Sequence, residues 1–178
     1  YKLNPQLCIS YLTIEFKGHI PKNLRPLMGN RIYGCDDCQL ICPWNKFAKI
    51  SQELSFHSQH DLHNITLLEL FNWTEEDFKL KTMGSAIRRI GYQCWMRNIA
   101  VALGNANYDI AIIQALKNKM FNKVKYSYLV REHAKWAYKQ QLKSKKKIIR
   151  KKNVKRQSQR LEFITDKKWL NIKNYDTK

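Results

Sequence analysis

Between Cys35 and Pro43 the chain reads C-D-D-C-Q-L-I-C-P, a C-x2-C-x3-C-P pattern that places three cysteines within eight residues. A fourth cysteine, Cys8, lies well upstream of this pattern. Residues 1–50 hold four of the five cysteines, all four prolines and three of the six glycines, and they show no sustained helical period. Prolines and glycines interrupt regular elements, and grouped thiols bind metals, so this composition predicts a loop-rich segment organised by metal.

The cysteine spacing favours iron–sulfur chemistry. Bacterial ferredoxin motifs read C-x2-C-x2-C-x3-C-P, in which three thiolates bind one 4Fe-4S cluster and the cysteine before proline ligates the other. The last three cysteines match here, and Cys8 is the candidate for the displaced first ligand, because a longer loop adds little closure entropy. We therefore predict that Cys8, Cys35 and Cys38 bind one cluster and that Cys42 ligates a second. Neither cluster is complete, and the chain begins with Tyr1 and not Met, so we expect the missing thiolates to lie upstream.

Three other uses of the cysteines stay open at this point. The four thiols can close one tetrahedral zinc site, or they can hold a single 4Fe-4S cluster by themselves. Disulfides are disfavoured because a basic chain without a signal-peptide pattern suggests a reducing compartment. The proline after Cys42 and the three-residue gap before it favour iron–sulfur over zinc. Cys94 falls on the apolar stripe of a predicted helix and is expected in the core.

The charge of the chain predicts a polyanionic partner. The sequence has 33 Lys and Arg against 14 Asp and Glu, a net charge of +19, and residues 81–160 alone sum to +19. Residues 143–156 hold nine cations and no acid. Such a distribution favours nucleic acid, because each neutralised phosphate releases counterions. A solvated tail and an anionic membrane surface are the alternatives for the run. The longest apolar runs, such as 99–103, are too short to span a membrane.

From Asn64 onward the sequence predicts helices. Thr66 with Glu69 and Thr74 with Asp77 have the spacing of helix N-terminal capping boxes. A longer helix is predicted after Gly84 and is expected to end at Gly104. Two more helices are predicted, from about residue 109 to 120 and from about residue 128 into the basic run. The stripe of the longer helix consists of Ile87, Ile90, Cys94, Met96, Ile99 and Leu103.

Three weaker patterns in the sequence concern a candidate repeat, a group of histidines and a group of acids. Arg97-Asn98-Ile99-Ala100 and Arg131-Glu132-His133-Ala134 share Arg and Ala at a separation of 34 residues, which suggests stacked helical repeats. The histidines at 57, 60 and 63 are expected to be solvated loop residues, and the acids at 75–77 to complement a helix dipole.

Four ordered blocks of the sequence resemble the epoxyqueuosine reductases: residues 8–15, 29–46, 84–92 and 97–105. Residues 129–134 resemble the C-terminal helical-repeat element of that family. The resemblance implies a cytoplasmic, cobalamin-dependent oxidoreductase with two 4Fe-4S clusters, which reduces epoxyqueuosine to queuosine in the anticodon loop of tRNA. The implied fold is mainly α. Residues 1–50 would form the end of a ferredoxin-like 4Fe-4S module, residues 51–140 a HEAT-like repeat domain and residues 141–178 a basic extension.

The resemblance also carries over to individual residues. It gives Cys8, Cys35 and Cys38 to one cluster and Cys42 to the other, in agreement with the spacing. Because electrons must pass from cluster to corrin, residues beside the ligands are expected to contact cobalamin: Ser10, Asp36 and Asp37. Phosphate contacts with tRNA are expected at Lys17, Arg31, Arg88, Arg89 and Arg97.

The catalytic residue is not expected in this chain. The family's catalytic aspartate and first four-cysteine motif would lie upstream of Tyr1, so the chain alone is expected to be inactive as a reductase. Its expected partners are tRNA carrying epoxyqueuosine and an electron donor, with a monomeric chain and no membrane. Two functions compete with this one: a zinc-stabilised RNA-binding module without redox activity, and a ferredoxin-like electron-transfer subunit.

Overall fold

The computed structural model describes residues 2, 4–53, 62 and 64–173, with side chains up to residue 151. That part of the chain is helical and contains no strand. Its α-helices are α1 (Asp37–Leu40), α2 (Leu67–Asn72), α3 (Glu75–Lys81), α4 (Tyr92–Asn105), α5 (Ile110–Phe121) and α6 (Tyr128–Lys173). Short 3₁₀ helices cover Pro5–Leu7, Arg25–Met28, Pro43–Phe47 and Ala86–Ile90, and a π-helical turn covers Tyr11–Glu15. The mainly helical fold class is confirmed.

The chain divides into two compact units, residues 1–141 and residues 142–178. The first unit contains the cysteine-bearing segment, α1 to α5 and residues 128–141 of α6. The second consists, in its described part, of residues 142–173 of α6. The predicted boundary at residue 50 therefore falls inside one unit, and the division into a cluster module and a repeat domain stays a prediction. No described helix is both long and apolar enough to cross a membrane.

The two predicted capping boxes are confirmed, and they explain where α2 and α3 begin. The hydroxyl of Thr66 accepts from the backbone N–H of Glu69 at 3.2 Å, and the Glu69 carboxylate accepts from the Thr66 N–H at 2.8 Å. Thr74 and Asp77 repeat this exchange at 3.1 Å and 2.9 Å. Each box satisfies two N–H groups that a helix start would otherwise leave without partners.

Helix α4 forms the centre of the first unit. It contacts α2, α3 and the 3₁₀ helices Arg25–Met28 and Ala86–Ile90. Cys94 is buried on this helix, as predicted. The largest buried side chains around it include Trp95, Met96, Ile99, Leu103, Phe71, Phe78 and Leu116. Because α4 lies against several elements of the unit, its buried polar residues can position the segments that carry the cysteines.

The prediction that Gly104 ends this helix is wrong. Gly104 lies within α4, which continues to Asn105, and its backbone packs against α6. A Cβ atom at this position would lie 2.6 Å from Trp136 Cζ3 and 2.8 Å from Ala137 Cα. The glycine is therefore required by close helix packing and not by chain reversal. The predicted helix also begins differently, as the 3₁₀ helix Ala86–Ile90 and then Gly91 at φ 76°.

Candidate functional site

The four candidate ligands lie on short segments at the surface of the first unit. Cys8 follows the 3₁₀ helix Pro5–Leu7, and its backbone N–H donates to the Pro5 carbonyl at 3.1 Å. Cys38 lies in α1, and Cys42 precedes the 3₁₀ helix Pro43–Phe47. All four thiols are free; Cys38 is exposed and the other three are half-buried. Free thiols that are only partly covered by protein are accessible to a metal or a cluster.

The backbone around Cys35 turns sharply. Gly34 has φ 74° and Asp36 has φ 59°, and Asp36 is the only non-glycine residue with positive φ in the described part of the chain. Left-handed backbone of this kind is uncommon for residues with a side chain, although Asp tolerates it better than most. The turn at Asp36 starts α1, so it determines how Cys38 follows Cys35 in space.

Asn98 of α4 connects the segment after Cys8 to the segment before Cys35. Its side-chain amide donates to the Thr13 carbonyl at 2.8 Å and to the Ile32 carbonyl at 2.9 Å. The Thr13 hydroxyl in turn accepts from the Gly34 backbone N–H at 3.0 Å. Asn98 and Thr13 are both fully buried. Buried hydrogen bonds of this kind hold both cysteine-bearing segments against one helix.

Arg97 also holds the segment after Cys8 on α4. The sequence predicts a tRNA contact at this residue, and the structure corrects that prediction. Its guanidinium is fully buried and donates to three backbone carbonyls of the segment after Cys8. These bonds reach Leu12 at 2.9 Å, Phe16 at 2.7 Å and Gly18 at 2.8 Å. A guanidinium enclosed by carbonyl oxygens has no free face for a phosphate, so Arg97 acts as a support for this segment.

Two other predicted site residues bind each other. Arg31 Nη2 lies 2.6 Å and 2.8 Å from the two carboxylate oxygens of Asp37. The hydrogen bond from Arg31 holds the pKa of Asp37 below its usual value. The structure thus pairs a residue predicted to contact tRNA with one predicted to contact cobalamin. Of the other expected cobalamin contacts, Asp36 is exposed and Ser10 is half-buried, and each lies within two residues of a cysteine ligand.

The remaining predicted tRNA contacts are on the surface. Lys17 donates to the carbonyls of Ile14 at 3.0 Å and Ile90 at 3.5 Å. Arg89 forms an ion pair with Glu15. Arg88 is exposed and forms no ion pair within the described residues. Of the five cations predicted for this role, Arg88 is therefore the most available to a phosphate.

No sequence pattern indicates the polar cluster that joins α6 to the loop at His19. Arg25 donates to both carboxylate oxygens of Glu132, at 3.2 Å and 2.6 Å, and His19 Nδ1 lies 3.6 Å from that carboxylate. His133 Nε2 accepts from the Ile20 N–H at 3.2 Å, and its Nδ1 lies 2.8 Å from the Leu129 carbonyl. Burial, with the charge of Arg25, lowers the pKa of His133 to about 3. Both ring nitrogens are already bonded, so this cluster is a structural connection.

The spacing of potential ligand atoms bears on the zinc alternative. Among the described residues, one group of three such atoms lies within 4.8 Å of one another, and it consists of His19, Glu132 and His133. Thus no three of the four candidate thiols, all of them described, are that close. A tetrahedral zinc site with bonds of about 2.3 Å requires sulfur atoms roughly 3.8 Å apart. The arrangement therefore disfavours a preformed zinc site. His57, His60 and His63 lie outside the described residues.

One protein family and several known relatives match this chain, and the family match includes all four candidate cysteines. Residues 1–45 match the family described as the 4Fe-4S double cluster binding domain. The epoxyqueuosine reductase of Pseudomonas aeruginosa is 53% identical over 137 residues, which are 77% of this chain and 37% of that protein. The epoxyqueuosine reductase of Escherichia coli strain K12 is 52% identical over 149 residues, 84% of this chain and 38% of that protein.

Solved structures that are similar to this chain are also epoxyqueuosine reductases. A crystal structure of epoxyqueuosine reductase with an epoxyqueuosine-modified stem loop of tyrosine tRNA superposes with a TM-score of 0.70 at 30% identity, covering 78% of this chain and 36% of that one. A Bacillus subtilis epoxyqueuosine reductase gives a TM-score of 0.68 at 31% identity, with coverages of 76% and 36%. The chain spans a little over a third of the length of these relatives. Over that part it is homologous, in sequence and in fold, to the epoxyqueuosine reductases.

Proposed function

We propose that this chain carries iron–sulfur clusters for the reduction of epoxyqueuosine to queuosine in tRNA. One observation carries the proposal. The match to the 4Fe-4S double cluster binding domain covers residues 1–45 and includes all four candidate thiols, within a region about half identical to epoxyqueuosine reductases. The catalytic part of such an enzyme is not assigned to any residue of this chain.

The proposed ligands are Cys8, Cys35 and Cys38 for one 4Fe-4S cluster and Cys42 for a second. Two such clusters bound by thiolates need about eight ligands, so the others would come from polypeptide beyond these residues. The free thiols fit this role, because Asn98 and Arg97 hold the segments next to Cys8 and Cys35 on α4 while the thiols stay partly open. Thiolate-bound clusters transfer single electrons, and nearby hydrogen bonds and burial set their potentials.

Cobalamin is the proposed second cofactor, and it would supply reducing chemistry at the epoxide. Ser10, Asp36 and Asp37 flank the cysteines and are the proposed contacts. Asp36 presents an exposed carboxylate beside Cys35. Asp37 already accepts two hydrogen bonds from Arg31, so a contact through its side chain would involve that pair. Asp36 is therefore the most available of the three.

The proposed partner is tRNA carrying epoxyqueuosine. One solved relative is bound to an epoxyqueuosine-modified tRNA stem loop, and the present chain has a net charge of +19. Arg88 is the first candidate for a phosphate contact, followed by Lys17, Arg89 and Arg31, which have partners within the chain. The proposed setting is the cytoplasm, with a monomeric chain and a separate electron donor.

Anaerobic reconstitution tests the cluster proposal. The purified chain is treated with iron and sulfide, and bound iron, bound sulfide and visible absorption are measured before and after reduction. We expect iron and sulfide to bind together and the absorption to bleach on reduction. Cys35→Ala and Cys38→Ala should lose most of the iron, whereas Cys94→Ala should keep it, because Cys94 is in the core. Stoichiometric zinc without bleaching, or full iron content in Cys35→Ala, would contradict the proposal.

A further inference from the structure

Five cations share one face of α6 in the second unit. They lie at positions i, i+3, i+4, i+7 and i+8, a spacing that places side chains on the same side of an α-helix. All five are exposed, and none of them forms an ion pair in the described part of the chain. They are Lys143, Lys146, Lys147, Arg150 and Lys151, which we call the α6 basic face.

The α6 basic face is dense in charge, and the stretch of sequence that carries it has no acid. It extends about 12 Å along the helix, with neighbouring Cβ atoms roughly 5 to 6 Å apart. Residues 142–156 contain no Asp or Glu. Like charges at these spacings destabilise a helix slightly, so an anionic partner would remove a repulsion as well as add attraction.

The other side of this helical segment does not resemble a membrane-binding face. Ile148 and Ile149 are its exposed apolar residues, with 40% and 47% of their surface accessible. At 100° per residue, Lys145 projects between them, so the two isoleucines do not form a continuous apolar stripe. A helix that lies in a bilayer surface needs such a stripe to bury among the lipids. An anion that offers repeated charges without an apolar phase fits this helix better.

We propose that the α6 basic face binds the phosphate backbone of RNA and adds contacts to the tRNA named above. The inference rests on the proposed function for the identity of that RNA. Lysine binds phosphate as a point charge and reads no base, so the contact should be independent of nucleotide sequence. Its affinity should come largely from released counterions and should weaken steeply with salt.

A charge-matched pair of variants of the full chain tests this inference. The face variant replaces all five cations with Gln, and the control replaces five scattered exposed lysines: Lys22, Lys49, Lys117, Lys123 and Lys135. Gln and Lys have similar helix propensities, so circular dichroism should show unchanged helicity in both. Binding of full-length tRNA is measured against salt concentration. We expect the slope of log K against log salt to become shallower by about 3.5 to 4.5 in the face variant, at roughly 0.7 to 0.9 for each lost phosphate contact. The control should change the slope by less than half of that.

Each other outcome overturns the inference. An unchanged slope in the face variant, with tRNA still bound, would show that the α6 basic face does not contact the RNA. The proposed function would be unaffected by that result. An equal loss in both variants would indicate a general charge effect. Binding to vesicles of phosphatidylcholine and phosphatidylserine that depends on these cations, without tRNA binding, would identify a membrane contact instead. Absence of tRNA binding by the wild-type chain would also overturn the inference about α6. The iron content after reconstitution would then test the cluster proposal separately.

Discussion

Asn98 joins parts of the chain that are distant in sequence. Its amide bonds carbonyls 85 and 66 positions away, one in the segment after Cys8 and one just before Cys35. In the sequence Asn98 looks like an ordinary polar residue of a helix. Only its buried hydrogen bonds show that it positions two candidate ligand segments at once.

We expect Asn98→Ala to lower the free energy of unfolding by about 2 to 3 kcal/mol. The change removes four hydrogen bonds, two donated to the Thr13 and Ile32 carbonyls and two accepted from Arg97, and it leaves both carbonyls without their partner. Urea denaturation measures this effect. Iron uptake during reconstitution should also fall. Gln141→Ala is the matched control, because Gln141 is a buried amide that donates to Leu103 and Ala106, away from the cysteines. Equal iron uptake by the two variants would contradict a positioning role for Asn98.

His133 makes stability depend on pH. Its pKa in the folded chain is about 3, whereas an unfolded histidine has a pKa near 6.5. The folded state therefore keeps His133 neutral, and below about pH 6.5 the unfolded state takes up a proton that the folded state does not. Stability is fully present above pH 6.5 and falls as the pH decreases toward 3.

The expected loss between pH 6.5 and 5 approaches 1.4 kcal/mol per pH unit from this group alone. Urea denaturation of the metal-free chain at several pH values measures it. His133→Gln should be less stable at neutral pH, because a flexible amide does not reproduce both ring-nitrogen contacts, with the Ile20 N–H and the Leu129 carbonyl. Its stability should also change less with pH over this window. A slope as steep as that of the wild-type chain would assign the pH dependence to other groups.

At the scale of the element, the sequence predicted helix starts better than helix ends. Thr66 and Thr74 begin α2 and α3 through bonds to residues three positions away, so the signal is local and complete in the sequence. Gly104 is the opposite case. Glycine often ends helices, but here its function depends on Trp136 and Ala137, which are remote in sequence.

Gly104→Ala therefore tests the packing of α4 against α6. In an exposed helix this change would stabilise by roughly 1 kcal/mol, because alanine has the higher helix propensity. Here we expect a loss of about 1 to 3 kcal/mol, because the added methyl group would overlap the Ala137 backbone. Thermal or urea denaturation gives the sign. A stabilised variant would show that the two helices are not in such close contact.

For the whole molecule, the net charge overstates the basic surface. Among the described side chains of the strongly positive region, Arg97 and Lys119 are buried. Arg97 donates to backbone carbonyls, and Lys119 lies 4.7 Å from the Phe71 ring and 4.3 Å from the Tyr126 ring. Burial lowers the pKa of Lys119 to about 8. The cations that remain exposed, above all those of the α6 basic face, are the ones that a polyanion can reach.

Cluster binding should stabilise the first unit as a whole. The cysteine segments and helices α2 to α5 belong to one compact unit, so a group bound by the thiols favours the folded state of all of them. We expect anaerobic reconstitution to raise the thermal midpoint and an iron chelator to reverse the rise. Bound iron that leaves the midpoint unchanged would indicate that the cysteine segments unfold independently of the helices.

The sequence alone determined the features that rest on local spacing: the C-x2-C-x3-C-P pattern, the two capping boxes, the approximate extent of α5 and the concentration of positive charge. These depend on residues a few positions apart, so their physical basis is already present in the chain. The tertiary structure alone decided the roles of Arg97, Asn98, Gly104 and His133. Each of these roles depends on a partner tens of residues away. In the folded chain these four residues are buried or closely packed, so they stabilise the structure. A linear pattern does not contain those distances, whereas the packing of α4 and α6 creates them.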